Sequence, residues 1–228
     1  MKKLFLIAFA TLSVLSNSAF SKTQGSYIGA DYIATRVSTY QRSYLEPNGV
    51  YLGNGTYHVS GGAGLSYKYA FNFNNFFIAP GFILEKNSFG DSKVDVVKEQ
   101  GRNGPSAQIR NRYGLKVDVG YDVTNHIAPY LTGGYAWVNY KTKYQSLDYD
   151  KLPNQVVLNG YKNSNDGNIF GGFGIKVNLL KNTDLNLEYN YQRYVAKAKV
   201  SDASLVYLRS AEFVGSLHIF KAGLSYRF

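Results

Sequence analysis

The feature that most constrains this chain is an alternation of apolar and polar residues that recurs along nearly its whole length. In residues 57–71, apolar, aromatic or glycine residues hold the odd positions, and small or polar residues hold most of the even ones. A period of two is the pattern of a β-strand whose two faces meet different surroundings. Strands of soluble domains usually have about 5–6 residues, so a run of this length favours a tilted membrane-spanning strand.

Eight segments carry the pattern, some more cleanly than others: residues 26–36, 57–71, 76–86, 112–122, 127–140, 172–179, 184–191 and 220–228. Short connections at 72–75, 122–126 and 180–183 alternate with long ones at 37–56, 87–108, 141–167 and 195–212. Outer-membrane barrels have tight periplasmic turns and longer extracellular loops. The predicted fold class is therefore all-β, an antiparallel up-and-down transmembrane β-barrel of eight strands.

The N-terminus has the organisation of a secretory signal peptide. Lys2 and Lys3 precede an apolar stretch from Leu4 to Leu15, and small residues follow it at Ala19 and Ser21. We predict a signal peptide at residues 1–21 and one barrel domain at residues 22–228. The formal charge is +10; without Lys2 and Lys3, 23 basic and 15 acidic side chains remain, or +8. Export argues against nucleic acid as the partner of this charge and favours lipopolysaccharide phosphates or acidic glycans.

The last eight residues form the sharpest motif. Lys221 is followed by Gly223, and aromatic residues occupy Tyr226 and the terminal Phe228. This strand resembles the β-signal that the barrel-assembly machinery reads in outer-membrane proteins. The chain as a whole resembles the small eight-stranded outer-membrane family of OmpA-barrel, OmpX and opacity-type surface proteins. Its richness in Asn, Lys, Tyr and Ile is similar to that of proteins from AT-rich genomes, which suits intracellular pathogens such as rickettsiae, whose small barrels include adhesins. The resemblance implies an outer-membrane location.

The positions that face the barrel interior carry charges of both signs. An eight-stranded barrel is just wide enough for its own side chains to fill it, and buried ions must pair. We predict an interior charge network made by Arg112, Lys116, Asp118, Lys176 and Glu188. A filled lumen is the favoured interpretation, and a narrow or gated channel is the alternative.

Signals for catalysis are weak. His58 and Ser60 share a strand face and have a spacing similar to that of a lipid A deacylase motif, but that face is predicted to line the lumen. Neither a metal-ligand cluster nor a cofactor motif is found, and cysteine is absent. The sequence therefore predicts a protein without enzymatic activity, metal or cofactor.

The long loops mix tyrosine with modest positive charge, a composition suited to binding. Candidate contact residues are Tyr149, Tyr161 and Tyr207. Within the third loop, residues 155–160 are predicted to form a hairpin that turns at Gly160 and presents an edge to a partner's strand. We predict a monomeric adhesin or host-interaction protein that binds a host protein or glycan. A small pore and a structural protein of the outer membrane are the alternatives.

Overall fold

The structure is a computed structural model that describes residues 23–45, 49–52, 56–89, 106–147, 156–199 and 208–228. Its strands are β1 (Gly25–Leu45), β2 (Gly49–Leu52), β3 (Thr56–Phe73), β4 (Phe76–Phe89), β5 (Ser106–Tyr121), β6 (Ile127–Leu147), β7 (Val156–Leu180), β8 (Thr183–Lys199) and β9 (Leu208–Arg227). The predicted signal peptide lies outside the described residues. Among the residues described, no helix is long and apolar enough to cross a membrane.

Every strand is antiparallel to its neighbours, and pairing of β1 with β9 closes the sheet. β2 pairs with residues 42–45 of β1, and β3 pairs with residues 25–39 of the same strand. β2 and β3 therefore form two parts of one barrel strand. The prediction of an eight-stranded antiparallel barrel is confirmed. Closure removes the exposed edges that an open sheet would present within the membrane.

The three predicted short turns are also confirmed. They lie between β3 and β4, between β5 and β6, and between β7 and β8. Asn74, in the first turn, has φ at 59°, in the left-handed region that asparagine tolerates better than most residues. Both described ends of the chain lie at the same end of the barrel as these turns, which is the periplasmic end.

The long connections are shorter than predicted, because the strands continue into them. β6 extends to Leu147 and β7 begins at Val156, and the two remain paired throughout this region. The predicted turn at Gly160 is wrong: Gly160 lies within β7, opposite Tyr144. Beyond the membrane, water bathes both faces of a strand. Apolar alternation then disappears from the sequence, although the backbone ladder goes on.

The outer wall carries an apolar band with aromatic residues at both of its edges. Tyr135 and Trp137 are exposed at the extracellular edge, with ring centroids 4.9 Å apart. At the periplasmic edge the exposed aromatic residues include Phe73, Phe76, Tyr121, Tyr226 and Phe228. Such girdles are typical of barrels that sit in a bilayer.

One seam of the wall opens toward the extracellular side. Within the described residues, the ladder between β7 and β8 ends at Phe170 and Gln192, although both strands continue beyond this point. β8 goes on pairing with β9 up to Lys199, and β7 goes on pairing with β6 up to Val156. The barrel therefore splits between β7 and β8 above this level.

Candidate functional site

Glu188, on β8, is the centre of a charged layer in the middle of the lumen. Its carboxylate accepts hydrogen bonds from Lys116 Nζ at 2.8 Å and from Lys221 Nζ at 2.9 Å. It also accepts the Tyr130 hydroxyl at 3.1 Å and Asn190 Nδ2 at 2.7 Å. These donors come from β5, β6, β8 and β9, so one buried carboxylate ties together much of the barrel wall.

Arg112 joins a second carboxylate to the same layer. Its Nη1 donates to both oxygens of Glu85, at 2.8 and 2.9 Å, and its Nε donates to Gln192 Oε1 at 2.7 Å. The guanidinium lies over the Phe170 ring, 4.4 Å from the centroid. Lys221 bridges Glu85, at 2.7 Å, to the group around Glu188. Although the Arg112 side chain is fully buried, its charge is therefore balanced within the layer.

Asp118 completes the layer on the β5 side. It accepts from Lys68 Nζ at 2.9 Å and lies 3.0 Å from Lys116 Nζ. The structure thus brings together four of the five residues predicted for the interior network: Arg112, Lys116, Asp118 and Glu188. Because the ion pairs of Lys116 with Glu188 and of Lys221 with Glu85 join distant strands, the side chains of the layer cross the lumen.

The fifth residue, Lys176, lies apart from this group. On β7 it lies two residues closer to the periplasmic end than Gly174, the residue that pairs with Glu188. Its ammonium donates a hydrogen bond to Thr23 Oγ1. Tyr27 donates its hydroxyl to Thr23 O at 2.8 Å, and Asp122 accepts from the Thr23 hydroxyl. The first described residue of the chain is thereby held in the periplasmic mouth. The sequence periodicity correctly predicted that Lys176 faces the lumen, but it could not predict the position of Lys176 along the barrel axis.

Sequence reasoning missed the apolar layers on either side of the charges. Residues of one cluster, which includes Ile33, Tyr140 and Leu217, pack above the network on the extracellular side. Another cluster, which includes Tyr27 and Phe77, packs below it. The interior network predicted from the sequence included only charged residues and none of these side chains. They lower the polarity around the ion pairs and so strengthen each pairing.

The seam between β1 and β9 explains the glycine of the C-terminal motif. A Cβ at Gly223 would lie 2.4 Å from the carbonyl oxygen of Ala30 and would also meet the Asp31 carboxylate. The closing strands therefore approach too closely for a side chain at this position. Lys221 faces the lumen network, whereas Tyr226 and Phe228 face outward.

The sequence matches the model of the outer membrane protein beta-barrel domain over residues 7–228. The chain belongs to this family. It is thus an integral protein of the bacterial outer membrane, as the alternation and the C-terminal motif predicted. No curated protein matches the chain by sequence.

Solved structures agree with this fold. OprG of Pseudomonas aeruginosa is 14% identical with a TM-score of 0.58, covering 91% of this chain and 98% of that one. The outer-membrane protein AlkL is 16% identical with a TM-score of 0.52, covering 92% and 93%. Ail, the attachment invasion locus protein of Yersinia pestis, is 14% identical with a TM-score of 0.44, covering 90% and 100%. At these identities the likeness to OprG and AlkL shows the fold alone.

Among the residues that the structure describes, no set of side chains has the geometry of a catalytic centre. Ser216 Oγ lies 3.5 Å from His218 Nε2, at the limit of a hydrogen bond, and the partner of Nδ1 is the Tyr189 hydroxyl at 2.8 Å rather than a carboxylate. In the described part of the chain, no three His, Cys, Asp or Glu side chains are placed to hold a metal ion. His58 pairs with Val37 at the backbone, and its side chain is outside the description.

Two of the three candidate loop contacts, Tyr149 and Tyr207, lie outside the described residues. Tyr161 lies on the extracellular extension of β7, opposite Lys143. Tyr161 is thus the one candidate contact within the described residues, and there the extension of β6 and β7 consists of two paired antiparallel strands.

Proposed function

We propose that this outer-membrane protein is an adhesin, a cell-surface binding protein for a host partner, and that its main contact is the extracellular extension of β6 and β7. The observation that carries the proposal is the split between β7 and β8. It leaves a strand of the extension without a ladder partner on one side, at a height that a partner outside the cell can reach.

The extension rises well above the membrane. Ten residues separate Trp137, at the extracellular aromatic edge, from Leu147 at the end of β6. At ~3.3 Å per residue and a tilt of ~45°, this is roughly 23 Å along the membrane normal. This length is paired with β7, in continuous register up to Ser146 and with a bulge between Ser146 and Leu147. A rigid two-stranded projection can present a binding surface beyond the headgroup region of the outer leaflet.

The free side of β7 suits an extended polypeptide. Between residues 156 and 169, β7 pairs with β6 and, in the part described, has no ladder with β8. At the base of the split, Asp166 accepts the backbone N–H of Val195 at 3.0 Å, and Gln192 Nε2 donates to the Asn168 carbonyl at 3.2 Å. Side chains thus hold the base of the split. An exposed strand edge above it can be extended by a partner's strand through backbone hydrogen bonds.

The partner is proposed to be a segment of a host protein rather than a glycan, because a strand edge recognises backbone groups. Lys141, Lys143 and Lys162 stand on the two extended strands, so the segment is expected to be acidic. Attraction between charges speeds encounter and selects partners more than it adds affinity.

A channel is a weaker proposal for this barrel. Its lumen is crossed by ion pairs between opposite walls, including those of Lys116 with Glu188 and of Lys221 with Glu85. Apolar layers lie above and below these pairs. Opening a conducting path would require charges to separate in a low-dielectric interior, which is costly.

The experiment displays the protein on a non-adherent bacterium and counts bound host cells. In one variant an Asn-Gly turn replaces residues 142–162, which leaves Lys141 opposite Asn163. In the matched control the same turn replaces residues 88–109, a segment of nearly equal length that includes the facing ends of β4 and β5 and leaves their register unchanged. We expect the first variant to lose adherence and the control to retain it. Heat-dependent gel mobility verifies that each barrel is folded.

Two results would contradict the proposal. If the complete protein gives no more adherence than the empty strain while it is folded and surface-exposed, the adhesin function is wrong. If both trimmed variants lose adherence equally, the contact is not specific to the extension of β6 and β7.

A further inference from the structure

Charges are unevenly distributed over the described wall. Five acidic side chains lie in the lumen, Asp122 is at the periplasmic turn, and Asp166 caps a backbone N–H in the split. Just above the apolar band, by contrast, four exposed side chains are all basic: Arg36, Lys86, Arg110 and Arg193. A belt of one sign at this height faces the headgroups of the outer leaflet.

Two members of this belt converge with a histidine on adjacent strands. Arg36 of β1 lies directly opposite His218 of β9, and Arg193 of β8 lies opposite Ser216 of β9. Directly opposed residues have their Cβ atoms about 5 Å apart, so long side chains at these positions can reach a common ligand. β9 lies between β8 and β1 in the sheet, so the strand register places the three residues near one another on the outer wall, where they are called the cluster below.

The histidine of the cluster has a fixed orientation. His218 Nδ1 and the Tyr189 hydroxyl are 2.8 Å apart, and the imidazole meets the Tyr191 ring edge-on with centroids 5.3 Å apart. Such contacts leave the ring little freedom. They hold a polar group at the point where the outer face of β9 changes from apolar to polar, directly above Phe220.

An apolar groove descends from the cluster along the outer wall. Its volume is about 880 Å³, and Arg36 and His218 form its polar lining at the extracellular end. Its sides include Tyr32, Phe173, Leu187 and Phe220, and Ala34 lies in its floor. Tyr32, Phe173 and Phe220 are each more than half exposed, so their rings stand out from the sheet and bound the groove. A small residue between large ones creates the depression.

We propose that this groove, with its cluster, is a binding site for the phosphorylated glycolipid of the outer leaflet, lipopolysaccharide. A phosphate on its lipid A part is held by Arg36 and Arg193, with His218 beside it, and an acyl chain lies in the groove beneath. The groove has one cationic end and an apolar body, and it points into the membrane. A free anion would leave the apolar part unfilled, and a soluble protein segment could not reach it past the bilayer.

The cluster would also orient the barrel in the membrane. Arginine forms two parallel hydrogen bonds to phosphate, and charge-assisted bonds of this kind are roughly twice as strong as neutral ones. This site lies on β1, β8, β9 and the membrane-embedded part of β7, below the extension of β6 and β7, so it is independent of the proposed adhesin function.

The test measures binding of purified bisphosphorylated lipid A to the folded protein in detergent by native mass spectrometry. The double variant Arg36→Gln, Arg193→Gln is compared with Lys86→Gln, Arg110→Gln, which removes the same charge from the same belt on β4 and β5. We expect the first to lose at least about tenfold in affinity, the value of one charge-assisted contact, and the second to bind nearly as well as the unchanged protein. Ala34→Trp, which fills the groove, is also expected to weaken binding.

Two further ligands separate lipid from anion. Lipid A without its phosphates is expected to bind more weakly, and inorganic phosphate is expected not to displace lipid A. The proposal is overturned if both double variants lose affinity equally, which would indicate non-specific attraction to the belt. It is also overturned if inorganic phosphate competes fully and Ala34→Trp has no effect, because the site would then bind the anion alone.

Discussion

Replacing Glu188 with leucine is expected to lower the free energy of unfolding of the barrel by about 3–5 kcal/mol, the cost of breaking a buried ion pair by removal of one partner. Glu188 accepts from Lys116 and Lys221, both of which are almost fully buried. Without Glu188, the ammonium groups of Lys116 and Lys221 each lose a carboxylate partner inside a closed lumen. The Tyr130 hydroxyl and Asn190 would each lose an acceptor as well.

The measurement is the urea unfolding midpoint of the protein folded in detergent, followed by tryptophan fluorescence of Trp137 and by gel mobility. Glu188→Gln serves as the conservative control, since it keeps one acceptor oxygen and nearly the same volume. The double variant Glu188→Leu, Lys116→Met should cost less than the sum of the two single changes, because the residues are coupled. A loss below ~1 kcal/mol for Glu188→Leu, the range of an exposed pair, would show that the network adds little stability.

Replacing Phe228 with alanine is expected to remove most of the assembled protein from the outer membrane of living cells, with little change in the stability of the refolded barrel. Phe228 is 63% exposed, and its ring centroid is 6.2 Å from that of Tyr226, so it buries little apolar area. Its proposed role is recognition by the barrel-assembly machinery, which the resemblance of the last strand to a β-signal implies.

Phe73→Ala is the matched control, because Phe73 is 60% exposed in the same periplasmic aromatic girdle but lies outside the C-terminal strand. Assembled protein is quantified from heat-dependent gel mobility of isolated membranes, and stability from refolding in detergent. If both variants assemble equally well, the terminal residue has no special role in recognition. If Phe228→Ala fails equally to refold in detergent, its role is structural instead.

Much of the lumen could be predicted from the sequence, and the reason is local. Successive side chains of a strand point to opposite faces, so alternation assigns each residue to the lumen or the membrane without any knowledge of its neighbours. Arg112, Lys116, Asp118 and Glu188 were assigned to the interior in this way, and all four are buried there. The pairing of Lys221 with both Glu85 and Glu188 could not be predicted, because it depends on strand register and on which walls face each other.

Alternation could not predict the split between β7 and β8, nor could it predict that β6 and β7 continue beyond the membrane. Where both faces of a strand meet water, alternation carries no information, and the ladder depends on backbone bonds that any sequence can make. The cluster of Arg36, Arg193 and His218 has the same origin. Arg36 lies near the other two residues only because β1 closes the barrel against β9.

The sequence by itself determined the strand number, the periplasmic turns, the inward and outward faces and the location in the outer membrane, since each follows from short-range periodicity and terminal motifs. Only the tertiary structure decided which charges pair, how high each stands in the lumen, where the wall opens and which basic residues share a groove. These features depend on register and closure, which long-range pairing sets and local patterns do not encode.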